Sequence, residues 1–302
     1  MREKAFLFGE PPILLGITSE PPQSPAVDRP AFLILNAGLV HRVGPARKSV
    51  RLARRLATEG FLSMRFDLSG IGDSEPRRDT LSFDERAILD VRQAMDHLQR
   101  TRGVQRFVLM GLCSGADNSF RTALRDPRVI GAVMIDTFGY RTRGFYLRHY
   151  GRRMLRPKAW RRLVGRIAER IRRRLERKVG IDRAPAPTPP VPQYAREFPP
   201  QAEFVAGVQA LVDRGVNLFF IYSAAMEGYY NHEGQLREFL AGVDFRNRVE
   251  TKFFADSDHT FTDLRSQRAL VDTVLAWLHA VAGSPAAAPS PAPPGQSRAE
   301  GP

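Results

Sequence analysis

Residues 106–115 read R-F-V-L-M-G-L-C-S-G, an apolar run that breaks into a tight turn framed by glycines. The apolar part, Arg106–Met110, has the character of a strand buried on both faces, and Ser114–Arg125 reads as the helix that follows it. Gly111, Cys113 and Gly115 fall at the spacing G-x-Nu-x-G. A strand that reverses sharply into a helix strains its central residue and lifts that side chain clear of the sheet. Small flanking residues keep the two backbones from colliding. In such a turn the N–H of Ser114 points toward a developing oxyanion from the first helical turn. Cys113 is therefore a candidate nucleophile, although a lone cysteine is more often a small buried hydrophobe. Ser114 lies one residue off the centre of the motif and is expected to face the helix.

Strand and helix signals alternate on both sides of this turn. Phe6–Phe8 and Ile13–Thr18 read as an N-terminal hairpin, Ala31–Leu35 and Phe61–Phe66 as strands, and Arg47–Glu59 as an amphipathic helix between the last two. Ser82, with Glu85 three residues later, forms a capping box for a helix that runs to about Arg100. Val129–Ile135, Val216–Tyr222 and Val249–Ala255 follow as strands, with helices near Glu233–Leu240 and Thr262–Val281. The alternation predicts an α/β fold, a doubly wound, mostly parallel sheet with right-handed crossovers. The expected division is a first core part over 1–138, an inserted segment over 139–204, a second core part over 205–282 and a Pro/Ala-rich disordered tail over 283–302.

The net charge of +14 resides in one place: residues 139–183 hold 15 Arg and 2 Lys against 3 acids, and the rest of the chain balances at 29 basic and 29 acidic residues. Within this segment Trp160, Leu163, Val164, Ile167, Ile171, Leu175 and Val179 form one helical stripe with arginines opposite. Such a helix serves as a lid over a site, lies in an anionic membrane interface, or recruits a polyanion. No recognised nucleic-acid module accompanies it. Residues 184–200 contain seven prolines and read as a linker. A single cysteine excludes an internal disulfide framework. With no signal-like or spanning segment, the expectation is a cytoplasmic protein whose membrane contact, if any, is peripheral at the inner face.

The order and spacing of four motifs resemble the α/β-hydrolase fold over roughly 30–140 and 205–282. They are N-A-G-L-V-H-R-V-G-P-A-R (Asn36–Arg47), R-F-D-L-S-G-I-G-D-S (Arg65–Ser74), the turn G-L-C-S-G, and S-D-H-T-F (Ser257–Phe261). The chain is most similar to the serine-aminopeptidase-like and exosortase-associated branches, the latter also having cysteine at the turn.

The resemblance implies a nucleophile, an acid and a histidine in that chain order. His259, on the loop after the last strand, is then the base. Glu227 aligns with the family's usual aspartate, Asp136 is the alternative placement, and Asp258 is too close in sequence to orient its neighbour. The second oxyanion donor is expected from Leu39 N–H, with Gly38 permitting the turn. Arg42 and Arg47 flank that loop, where they would bind an anionic substrate group or form surface ion pairs. Asp67, Gly70, Gly72, Asp73 and Ser74 are expected to be scaffold. The implied chemistry is cleavage of an ester or thioester of a small-molecule, lipid- or carrier-linked acyl group. Acyl transfer by the same site and an inactive membrane-associated scaffold are the other readings. No metal or organic cofactor is implied, since the sequence has neither ligand-spaced His/Cys clusters nor a phosphate loop.

Overall fold

A computed structural model of the protein describes residues 1–22, 29–154, 172 and 196–283. The apolar stripe of residues 160–179, most of the proline run and the tail lie outside the described residues.

Eight strands form one sheet in the order β1-β2-β4-β3-β5-β6-β7-β8. They are β1 (Arg2–Phe8), β2 (Leu14–Glu20), β3 (Ala31–Ile34), β4 (Ser63–Phe66), β5 (Phe107–Leu112), β6 (Val129–Ile135), β7 (Asn217–Ser223) and β8 (Val249–Phe254). Among the described strands only β1–β2 and β2–β4 pair antiparallel; the six strands from β4 to β8 run parallel. The helices are α1 (Lys48–Thr58), α2 (Phe83–Arg102), α3 (Ser114–Arg125), α4 (Arg143–Met154), α5 (Gln201–Asp213), α6 (Gln235–Phe239) and α7 (Leu264–Gly283).

Alternation along β5 shows why the central strands are apolar throughout. Phe107 and Leu109 pack with α2, α3 and α5 on one face, whereas Val108, Met110 and Leu112 pack with α1 and α7 on the other. A strand covered on both sides has no position left for a polar residue. The capping box on α2 forms as expected: Glu85 N–H donates to Ser82 Oγ (3.3 Å) and Ser82 N–H to Glu85 Oε2 (3.0 Å). At the other end Gly103 takes φ 69°, the left-handed turn that ends the helix.

Helix α5 was not expected. The prolines before it suggest a spacer, yet Pro200 is the N-cap of this helix, and Phe204, Val208 and Leu211 bury its inner face. The charged segment begins on α4, whose Gly144 N–H donates to Glu238 Oε2 of α6 (3.2 Å).

Candidate active site

Cys113 sits between β5 and α3 with φ 58° and ψ −122°, a conformation an L-residue adopts only under constraint. The constraint is visible in the flanking glycines. A Cβ on Gly111 would lie 2.0 Å from the Gly115 carbonyl carbon, and one on Gly115 would lie 2.3 Å from Asn36 O. The turn is thus wedged against its own helix and against the chain leaving β3. Cys113 N–H donates to Ile135 O (2.9 Å), which fixes the turn to β6. The thiol itself is half-buried.

The loop after β8 brings His259 to this sulfur. Asp258 shapes that loop by accepting the N–H groups of Thr260 and Thr262, both at 3.0 Å. His259 Nδ1 lies 2.8 Å from Asp136 Oδ2, and the same imidazole interacts with the Cys113 thiol. Asp136, at the end of β6, is fully buried and has φ 50°. Its carboxylate also accepts the Ser223 N–H and hydroxyl, each at 2.7 Å.

Sulfur, imidazole and carboxylate therefore form one chain, with Asp136 in the position expected of Glu227. Glu227 is exposed just beyond β7, and its side chain makes no hydrogen bond or ion pair among the described residues. The reason for this correction is geometric. The positive φ at Asp136 turns its carboxylate across the end of β7 toward the histidine loop, while Glu227 follows a short 3₁₀ turn (Ala224–Met226) on the surface.

The charges in this chain reinforce one another. Asp136 is the main reason the imidazole's pKa rises to about 9, with Cys113 adding to it and burial opposing. Burial pushes the Cys113 thiol up, but the His259 hydrogen bond and the Arg196 charge outweigh it, so the thiol ionises below its ordinary value. Together these shift the shared proton from the sulfur toward the imidazole.

Ser114 N–H faces the sulfur from the first turn of α3. Its hydroxyl is committed elsewhere, accepting Gly38 N–H at 2.9 Å. Gly38 takes φ 55° in a tight turn closed by Val40 N–H to Ala37 O. The N–H of Leu39, at the tip, has no hydrogen-bond partner among the described residues. Gly38, Leu39, Ser114, Phe83, Arg121 and Arg196 line a cleft of about 420 Å³ beside the elbow.

Neither arginine proposed for substrate belongs to this cleft. Arg42 ion-pairs with the fully buried Asp67 and, at 2.7 Å, with Asp73. Asp67 also accepts Asn36 Nδ2 (3.2 Å), and a Cβ on Gly72 would lie 2.3 Å from it. Asp67 thus ties the 67–74 loop together, and Arg42 is part of that arrangement because a buried carboxylate needs a partner. Arg47 is exposed and caps α1 with φ 59°.

Two residues near the site had no signal in the sequence. Lys48 is buried beneath the histidine loop, its Nζ 3.4 Å from Thr260 O, and burial lowers its pKa to about 8 against the pull of Asp136 and Asp258. Arg196, in the connection leading to α5, reaches Cys113 Sγ at 3.8 Å through Nη1. Among the described residues no group of acidic, histidine and cysteine side chains is arranged to hold a metal ion.

Residues 36–184 match the family model described as serine aminopeptidase, S33. Among solved structures, the chain is similar to an esterase from Pyrococcus furiosus at 15% identity and TM-score 0.59, covering 93% of this chain and 91% of that one. It is also similar to a carboxylesterase from Bacillus subtilis at 15% identity and TM-score 0.57, covering 92% of each. A serine hydrolase without a lid from Xanthomonas campestris matches at 14% identity and TM-score 0.55, covering 94% and 97%. No curated protein matches the chain in sequence at a significant level. The chain has the fold of these α/β hydrolases. None of its described helices is long and apolar enough to cross a membrane.

Proposed function

We propose that this protein cleaves carboxylic esters or thioesters through a Cys113–His259–Asp136 triad and an acyl-enzyme on the sulfur. The observation that carries the reading is the continuous chain from Sγ through the imidazole to a buried carboxylate, 2.8 Å from Nδ1, with the sulfur at a strained elbow. His259 holds the proton from the thiol, and the thiolate attacks the acyl carbon. Ser114 N–H and Leu39 N–H receive the negative charge that gathers on the carbonyl oxygen. As the tetrahedral species collapses, the imidazolium gives its proton to the departing alkoxide or thiolate. The same imidazole then takes a proton from water, whose oxygen attacks the thioester and frees the acid and the sulfur.

The cleft supports a short, polar acyl group over a long hydrocarbon one, because an Arg121–Asp84 pair (2.9 Å) and Arg196 form part of its wall. The basic segment carries no part of this reading. Incubation with activated esters and thioesters of graded chain length, followed by mass spectrometry, tests it. An acyl adduct on the Cys113 peptide that vanishes in Cys113→Ala is expected. Acylation at Ser114, or no adduct at any chain length, would overturn the assignment.

A further inference from the structure

Arg196 makes contacts that a simple surface arginine does not. Its Nε and Nη2 grip Asp117 Oδ2 and Oδ1 at 2.5 and 2.7 Å. Asp117 is almost wholly buried on α3, and Thr137 Oγ1 donates to it at 2.9 Å. Phe198 and Phe138 lie against the guanidinium, 4.9 and 5.5 Å from its central carbon. A planar fork held at two nitrogens and between two rings has no freedom left for the third. That third nitrogen, Nη1, points at Cys113 Sγ from 3.8 Å.

We infer that Arg196 is a catalytic residue of this site, a fixed cation that donates to the Cys113 sulfur and holds it as a thiolate before substrate arrives. The inference rests on Cys113 being the nucleophile. The thiol proton passes to His259, and Arg196 keeps all its own. When the S–C bond forms, the negative charge leaves sulfur for the carbonyl oxygen, and the guanidinium stays in place.

The other charged groups near the sulfur do not duplicate this role. His259, from the loop after β8, is the proton's acceptor, and Asp136, from β6, touches only its far side. Lys48, from α1, lies under the His259 loop with its Nζ at Thr260 O. Asp117, from α3, is neutralised by the fork. Across the cleft Arg121 is paired with Asp84 and also lies over Phe138, 5.6 Å from the ring centre. Glu197 lines the same cleft. The competing account makes the Asp117–Arg196 pair only a clamp between α3 and the 196–200 connection.

Cys113 is the chain's single cysteine, so iodoacetamide reports on this sulfur alone. Removing Arg196 by itself would leave Asp117 buried and unpaired, so the main variant is the double substitution Arg196→Met with Asp117→Asn. Arg196→Gln, which keeps a donor toward Asp117 without the charge, is the second, and far-UV circular dichroism checks the fold of each. The alkylation midpoint should rise by about one pH unit, which slows alkylation about tenfold at any pH well below the wild-type midpoint. A midpoint equal to the wild-type value in either folded variant would reduce Arg196 to a clamp. Alkylation needs no turnover, so the two ideas fail separately. A wild-type chain that cleaves nothing, yet shows this shift, sinks only the esterase reading. An active enzyme whose variants titrate unchanged sinks only the role of Arg196.

Discussion

Replacing Asp136 by asparagine keeps the shape of the side chain and removes its charge from the end of β6. The wild-type carboxylate is the largest reason that His259 holds its proton up to about pH 9 instead of 6.5. At 1.36 kcal/mol per pH unit the whole rise of about 2.5 units is worth at most about 3.4 kcal/mol. The ring is 39% exposed and Cys113 supplies part of the effect, so solvent screening leaves roughly 1–2 kcal/mol for Asp136. The variant's His259 midpoint should therefore fall by about one unit, and kcat/KM by about 10²-fold, as a misdirected base would cause. A pH window follows from the sign. Because the folded value lies above the unfolded one, the imidazolium stabilises the wild-type fold fully below about pH 6.5 and ceases to do so as pH rises through about 9. The Tm of the variant should lose less than that of the wild type across this range. Proton–carbon NMR of the six histidines, with His259→Gln for assignment, gives the midpoint, and thermal melts from pH 6 to 10 give the window. An unmoved midpoint in Asp136→Asn, or a larger activity loss in Glu227→Gln, would refute the reasoning.

Two further substitutions test the frame around the site. Gly111→Ala should yield insoluble or strongly destabilised protein, because its Cβ would meet backbone at 2.0 Å that cannot move aside; a soluble variant with the wild-type Tm would contradict the wedge. Arg42→Met should cost about 3 kcal/mol in denaturant unfolding by leaving the buried Asp67 without its partner, with KM unchanged in the enzyme that remains. A raised KM without loss of stability would return Arg42 to the substrate.

The sequence made the elbow legible because everything it needs is local. Strand, glycine spacing and helix lie within twenty residues, and the apolar run of β5 records its two-sided burial directly. The capping box of α2 and the strands of the second half were readable for the same reason. The acid was not, because the choice between Glu227 and Asp136 depends on where a positive φ aims a carboxylate through space, and no spacing encodes that. Arg196 was hidden more deeply. It follows a run of prolines that reads as a spacer, and its partners Asp117 and Cys113 lie about eighty residues earlier. Helix α5 was missed by the same misreading, since Pro200 marks its beginning and not the continuation of a linker.

If the sulfur beside the cleft is the thiolate proposed above, it carries a chemical liability that an oxygen in the same place would not. Peroxide oxidises thiolates preferentially, first to the sulfenic acid. This chain has no other cysteine with which that acid could condense into a protective internal bridge. Its recovery would depend on a thiol supplied from solution, and without one the sulfur would proceed to the sulfinic state and the enzyme would be lost.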